Sequence, residues 1–231
     1  MRFLAPALLA ALIAQPLAAQ SYQCRIPGSV TVPQVKRDGP VRRMPVTGYT
    51  LALSWSPEFC RTREFAPAHR RQCSGRAGRF GFIVHGLWPE SGRSWPQYCA
   101  TTPPDAAAIR PNLCMTPSAS LLAHEWIKHG SCMTKRPETY FRVTRILYDS
   151  LRLPDFDRLS RKPGLTAGDV REWFVAANRG WRADAIGVKL NQRGWLEELR
   201  LCYSKRFRPE PCDRRRRGAD DAAPVEIWRG L

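Results

Sequence analysis

Apolar and polar positions alternate cleanly at only a few places along the chain, and those places predict its strands. Tyr49, Leu51, Leu53 and Trp55 alternate with Thr50, Ala52 and Ser54, which is the period of a half-buried strand, and Pro57 stops it. Phe80, Phe82 and Val84 give a second strand. The Gly and Pro of His85-Gly86-Leu87-Trp88-Pro89 are expected to end it in a turn. Two late strands are predicted near Ala185 to Leu190 and Leu196 to Cys202. Elsewhere the period is helical. Ser118 or Ser120 caps a helix running to Lys128 or His129, with Gly130 just past its end. A helix after Pro137 places Tyr140, Phe141, Thr144, Leu147, Tyr148 and Leu151 on one face. Thr166 and Asp169 form a capping box before a helix that aligns Val170, Trp173, Phe174 and Ala177. Strands and helices mix without a regular βαβ rhythm and without repeats, which predicts an α+β fold.

The stretches outside this pattern mark the organisation. Residues 1–19 carry Arg2, a short apolar run from Phe3 to Ala14, and Leu17-Ala18-Ala19, as a secretory signal peptide cleaved after Ala19 does. The run is too short for a membrane anchor. Residues 20–47, with Pro27, Pro33, Pro40 and Pro45, read as an irregular N-terminal arm pinned by Cys24. Residues 48–212 form the one domain. Within it, residues 61–79 are a basic loop with six arginines, and residues 89–117 are mostly loop. Residues 213–231, with the Arg214 to Arg217 run, are expected to be a basic C-terminal tail.

Composition adds a compartment and a class of partner. Eight cysteines, an even count behind a leader, imply disulfides and therefore export to the periplasm or the medium. No pair has C-x-x-C spacing, which argues against a zinc ribbon or a thioredoxin-type site. The net charge of +17 attracts polyanions: nucleic acid, anionic lipid or polysaccharide. Charge says what can approach, not what is done to it, and a solvated basic surface explains it equally well.

The candidate chemistry lies in two short segments that hold three of the four histidines: Phe80 to Pro89, with His85, and His124-Glu125-Trp126-Ile127-Lys128-His129-Gly130-Ser131-Cys132. On a regular helix of about 100° per residue, His124, Lys128, Glu125 and His129 fall on one face, and Ala123, Trp126 and Ile127 fall opposite. A merely solvated face would use Glu, Lys and Arg rather than two histidines. The set supplies acid–base imidazoles, an ammonium for phosphate and a carboxylate, but no nucleophile. RNA brings its own in the 2′-hydroxyl. Zinc hydrolysis is the competing chemistry. His124 and His129 are badly placed for one tetrahedral ion, and Glu125 with His129 and His85 is the less favoured alternative set.

The two segments resemble the two active-site motifs of the ribonuclease T2 family, the secreted base-non-specific ribonucleases. The first is similar to the family's His-Gly-Leu-Trp-Pro strand end and the second to its His-Glu-x-x-Lys-His-Gly-x-Cys helix. Leu51 to Cys60 and Gly194 to Cys202 resemble flanking family strands, so the likeness runs from about Tyr49 to Cys212. The resemblance implies a central antiparallel β-sheet flanked by several helices in a disulfide-stabilised single domain. It implies single-stranded RNA cleavage to a 2′,3′-cyclic phosphate and a 5′-hydroxyl. His85 is then the general base and His129 the general acid. Glu125 and Lys128 stabilise the transition state, His124 holds the phosphate and Trp88 stacks on a base. Glu90 stands where many members have Asp. Trp95 or Tyr98 closes the base pocket, or else serves the core. Cys99–Cys132 and Cys202–Cys212 disulfides are implied; Cys60–Cys73 is a plausible short-range pair, and Cys24–Cys114 remains. RNA is the expected partner, with no cofactor, metal, membrane or stable protein partner, and the chain is expected to be a monomer. A catalytically dead polyanion binder is the other alternative, although such a protein would be expected to have lost a histidine.

Overall fold

The computed structural model describes residues 21–230; the expected leader lies outside them. The fold is α+β. Strands β1 (Ser21–Tyr22) and β3 (Arg79–Phe80) make a small antiparallel pair. Strands β2 (Gly48–Trp55), β4 (Phe82–Glu90), β5 (Ile186–Leu190) and β6 (Leu196–Ser204) form an antiparallel sheet in the order β4-β2-β6-β5. β2 is central and buried along nearly its whole length, which suits its run of Leu, Ala and aromatic residues. The Pro137–Asp149 and Ala167–Ala177 helices share the core with it through Tyr140, Phe141, Val170 and Phe174. Tyr148 anchors the first helix to β4 by donating its hydroxyl to the Phe82 carbonyl at 2.6 Å. Ser118 caps the Ala119–Glu125 helix, and Thr166 and Asp169 form a full capping box.

Four disulfides brace the domain: Cys24–Cys114, Cys60–Cys73, Cys99–Cys132 and Cys202–Cys212. The arm is not loose. Besides β1 and Cys24–Cys114, it is held by an antiparallel bridge between Arg42 and Gln97.

Several expectations are corrected. β4 does not turn at Gly86; it runs through Pro89 to Glu90, paired with β2. Proline is tolerated because β4 is an edge strand, where a missing N–H costs no sheet bond. The irregularity expected there becomes a bulge: Ala52 pairs with Gly86 and Leu53 with Val84, so His85 is the extra residue. Gly130 does not end its helix. A π-helical segment, Trp126–Gly130, follows the Ala119–Glu125 helix and leads into Ser131–Met133. Gly130 serves close packing instead, since a Cβ there would lie 2.6 Å from the Tyr140 ring. Residues 89–117 are mostly loop, as expected, with a short Ala106–Ile109 helix capped by Asp105 among them. The C-terminal stretch is no free tail: Val225 and Ile227 are in the core, and the Trp228 carbonyl accepts Trp55 Nε1 at 2.6 Å. Arg171, fully buried, clamps that stretch through Asp221 and the carbonyls of Arg217 and Ala219.

Candidate active site

His85 is the extra residue of the β4 bulge, a feature by which a strand can re-aim a side chain. Its Nδ1 donates to Glu198 Oε2 at 2.8 Å, and its Nε2 lies 3.7 Å from Glu125 Oε1. Glu198 is buried on β6 and is held from behind by Arg200 Nε at 2.9 Å. Burial works against a charged imidazole at His85, but the Glu198 hydrogen bond and the charges of Glu125 and Glu198 outweigh it, and its pKa is raised. Burial likewise opposes the Glu198 carboxylate, yet His85 and Arg200 hold its pKa below the ordinary value.

The second motif does not present one solvated face. Glu125 is 3% exposed and His129 8%, whereas His124 and Lys128 sit at the rim. The π segment adds a residue to the turn, so the regular wheel no longer applies. Burial pushes the Glu125 carboxyl up to about 7, against the charges of His85 and the hydrogen bond from Trp88. Burial, reinforced by Lys128, His124 and His85, holds the His129 imidazole well below its ordinary value. The His129 Nδ1 is buried without a hydrogen-bond partner.

Trp88 joins the two motifs. Its indole N–H donates to Glu125 Oε2 at 2.7 Å, and its ring lies 5.2 Å from His85 and 5.7 Å from His129. This approach requires Gly86, because a Cβ there would overlap the Glu125 carboxylate and the Trp88 indole. The π segment is fixed by the Cys99–Cys132 bridge and by the Tyr98 N–H, which donates to the Lys128 carbonyl at 2.8 Å.

The remaining expected residues separate. Glu90 is buried, accepts from Thr50 Oγ1 at 2.8 Å and pairs with Arg215 at 2.7 Å. Trp95 is stacked between Arg42, at 4.4 Å, and Arg215, at 5.2 Å. Tyr98 is buried and donates its hydroxyl to Asp38. The polar and ring partners of Glu90 and Trp95 are Thr50, Gln97, Arg42 and Arg215 rather than the two histidines. Two residues of the site were not among those expected: Glu198, and Asp38 of the arm, whose Oδ2 lies 2.7 Å from Lys128 Nζ. β6 carries Glu197, Glu198 and Arg200 among its apolar residues, and nothing in that pattern singles out Glu198.

A groove of about 760 Å³ runs from His85 and His124 past Phe59 to Arg63, Lys189 and Arg193, with residues 33–36 of the arm along it. Among the described residues, no cluster of His, Cys, Asp or Glu is arranged to hold a metal ion. The site thus gathers two imidazoles shifted in opposite directions, a carboxyl that titrates near neutrality and an ammonium, and of these side chains His85 and His124 line the groove.

Comparison with known proteins gives the same picture. The ribonuclease T2 family model matches residues 47–169, just over half of the chain. A probable ribonuclease of Haemophilus influenzae is 30% identical over 183 residues, covering 74% of this chain and 62% of that protein. The chain thus spans under two thirds of the length of that relative. Ribonuclease I of Escherichia coli is 26% identical over 199 residues, covering 66% of this chain and 73% of its own. Among solved structures, trichomaglin, described as an S-like ribonuclease, superposes with a TM-score of 0.64 at 22% identity, covering 79% of this chain and 97% of its own. That likeness shows the fold. By motif, family match and fold together, the chain belongs to the ribonuclease T2 family.

Proposed function

We propose that the protein is an exported, monomeric, metal-independent endoribonuclease that cleaves single-stranded RNA with little base specificity. The observation that carries this reading is that His85 and His129 both lie against the Trp88 ring, with the pKa of the first raised and that of the second lowered. General acid–base catalysis needs one group to start neutral and the other protonated.

The charges favour the reverse of the direction implied by family resemblance. His129, neutral, takes the proton of the 2′-hydroxyl. The 2′-oxygen attacks phosphorus, the bond from phosphorus to the 5′-oxygen breaks, and His85, protonated, gives its proton to that oxygen. The products are a 2′,3′-cyclic phosphate and a 5′-hydroxyl. With the assignments exchanged, the productive form would need the less basic ring protonated and the more basic ring neutral, a minor state at every pH. Lys128 and a protonated Glu125 offer charge and a hydrogen bond to the phosphorane, His124 helps to hold the phosphate, and Trp88 is the base-stacking candidate. Tyr98 is assigned to positioning Lys128 and Asp38 through its hydrogen bonds, and Glu90 and Trp95 are assigned no contact with substrate.

The test is incubation of the purified protein with single-stranded RNA and with DNA in excess EDTA. RNA should be cut to 2′,3′-cyclic phosphate ends and DNA left intact. Loss of cutting on chelation that zinc restores would favour a zinc hydrolase. RNA binding without cutting would favour a dead binder.

A further inference from the structure

A carboxylate of the chain itself sits at the ammonium assigned to the phosphate. Asp38 Oδ2 is 2.7 Å from Lys128 Nζ and 3.9 Å from His124 Nε2. Its other oxygen accepts the hydroxyl of Tyr98, and that hydroxyl oxygen takes the Asp38 N–H at 3.1 Å. Tyr98 is buried and has φ of 57°, a costly conformation for an aromatic residue, maintained by its N–H bond to the Lys128 carbonyl. The arm that carries Asp38 is tied down on both sides, by Cys24–Cys114 and by the Arg42–Gln97 bridge with bonds of 3.0 and 2.9 Å. It also lies outside the part of the chain that matches the family model.

We propose that Asp38 is an internal competitor for the phosphate site: a tethered anion that any phosphate must displace from Lys128 and His124. This rests on the reading that Lys128 binds substrate phosphate. A tethered group acts at a high effective concentration, so a lone phosphate displaces it poorly. An RNA strand makes further contacts along the groove, where Lys36, Arg63, Lys189 and Arg193 are placed, and so still binds. The device raises the affinity threshold, keeping the site free of inorganic phosphate and mononucleotides at concentrations where RNA occupies it. A different role, in which Asp38 merely aims Lys128, predicts the opposite effect of its removal.

Calorimetric titration with inorganic phosphate at fixed ionic strength separates these, using the wild type, Asp38→Asn and Asp38→Asn with Lys128→Ala. Asparagine keeps the shape and the Tyr98 contact but removes the charge. Asp38→Asn should bind phosphate at least about fivefold more tightly, since the competent fraction of the site rises, and its KM for RNA should fall alongside. Adding Lys128→Ala should reverse the gain. Unchanged or weaker phosphate binding by Asp38→Asn overturns the proposal. If instead Lys128→Ala has no effect in the Asp38→Asn background, it is the phosphate-site reading that fails.

Discussion

His85 and Glu198 are separated by 113 residues and meet at 2.8 Å, reaching across β2 from its two neighbouring strands. The bond fixes the ring with Nδ1 as donor and leaves Nε2 free for chemistry. Glu198→Gln removes one of the charges that raise the His85 pKa. If His85 is the acid, it must stay protonated, so the alkaline limb of kcat/KM should move to lower pH by roughly 1–2 units. A pH–rate profile with an unmoved alkaline limb would remove Glu198 from the account.

Glu125 links pH to stability. Its folded pKa of about 7 lies above the ordinary 4.5, so its protonated form is the one that folding favours. That stability is fully present below pH 4.5 and is lost as pH rises through 7. Glu125→Gln cannot ionise. Relative to the wild type it should therefore gain stability between pH 5 and 8, up to the order of 3 kcal/mol. Urea unfolding of both proteins across that range checks this; a constant difference would mean that the carboxyl titrates normally.

The Cys99–Cys132 bridge closes a 33-residue separation and holds the end of the π segment. Replacing both cysteines by serine should cost roughly 2–5 kcal/mol in denaturant unfolding. It should also depress turnover more than removal of Cys60–Cys73, which lies in the basic loop. Equal effects of the two removals on turnover would contradict a positioning role for the first.

What was legible in the sequence was local. The period of Tyr49 to Trp55, the Thr166–Asp169 box and the two histidine motifs each depend on neighbours within a few residues, and the α+β class followed from them. What was not legible depended on tertiary packing. The bulge at His85 arises from pairing with β2, and the π segment places Trp126 and Gly130 against Tyr140. Glu198 and Asp38 reach the site only through sheet order and a strapped arm, which no periodicity encodes.

The structure also sorts the arginines. Arg61 is stacked between Trp195 and Trp228, and Arg215, Arg216 and Arg217 pair with Glu90, Asp213 and Asp221. Arg70, Arg76 and Arg79 are exposed. Neutralising these last three should flatten the salt dependence of kcat/KM, because fewer counterions are released on RNA binding. Neutralising Arg216 and Arg217 should chiefly lower thermal stability. The same salt slope in both sets would return the loop to an ordinary solvated surface.

The central claim is that His85 delivers the proton to the leaving 5′-oxygen while His129 removes the one from the 2′-hydroxyl. A dinucleotide whose 5′-bridging oxygen is replaced by sulfur tests it most directly, because a thiolate leaves without protonation. His85→Ala and His129→Ala should each lose about 10²–10⁴-fold in turnover on the oxygen substrate. On the sulfur substrate His85→Ala should recover most of that loss and His129→Ala little of it. Recovery by His129→Ala instead would restore the assignment implied by resemblance, and recovery by neither would contradict the two-histidine account itself.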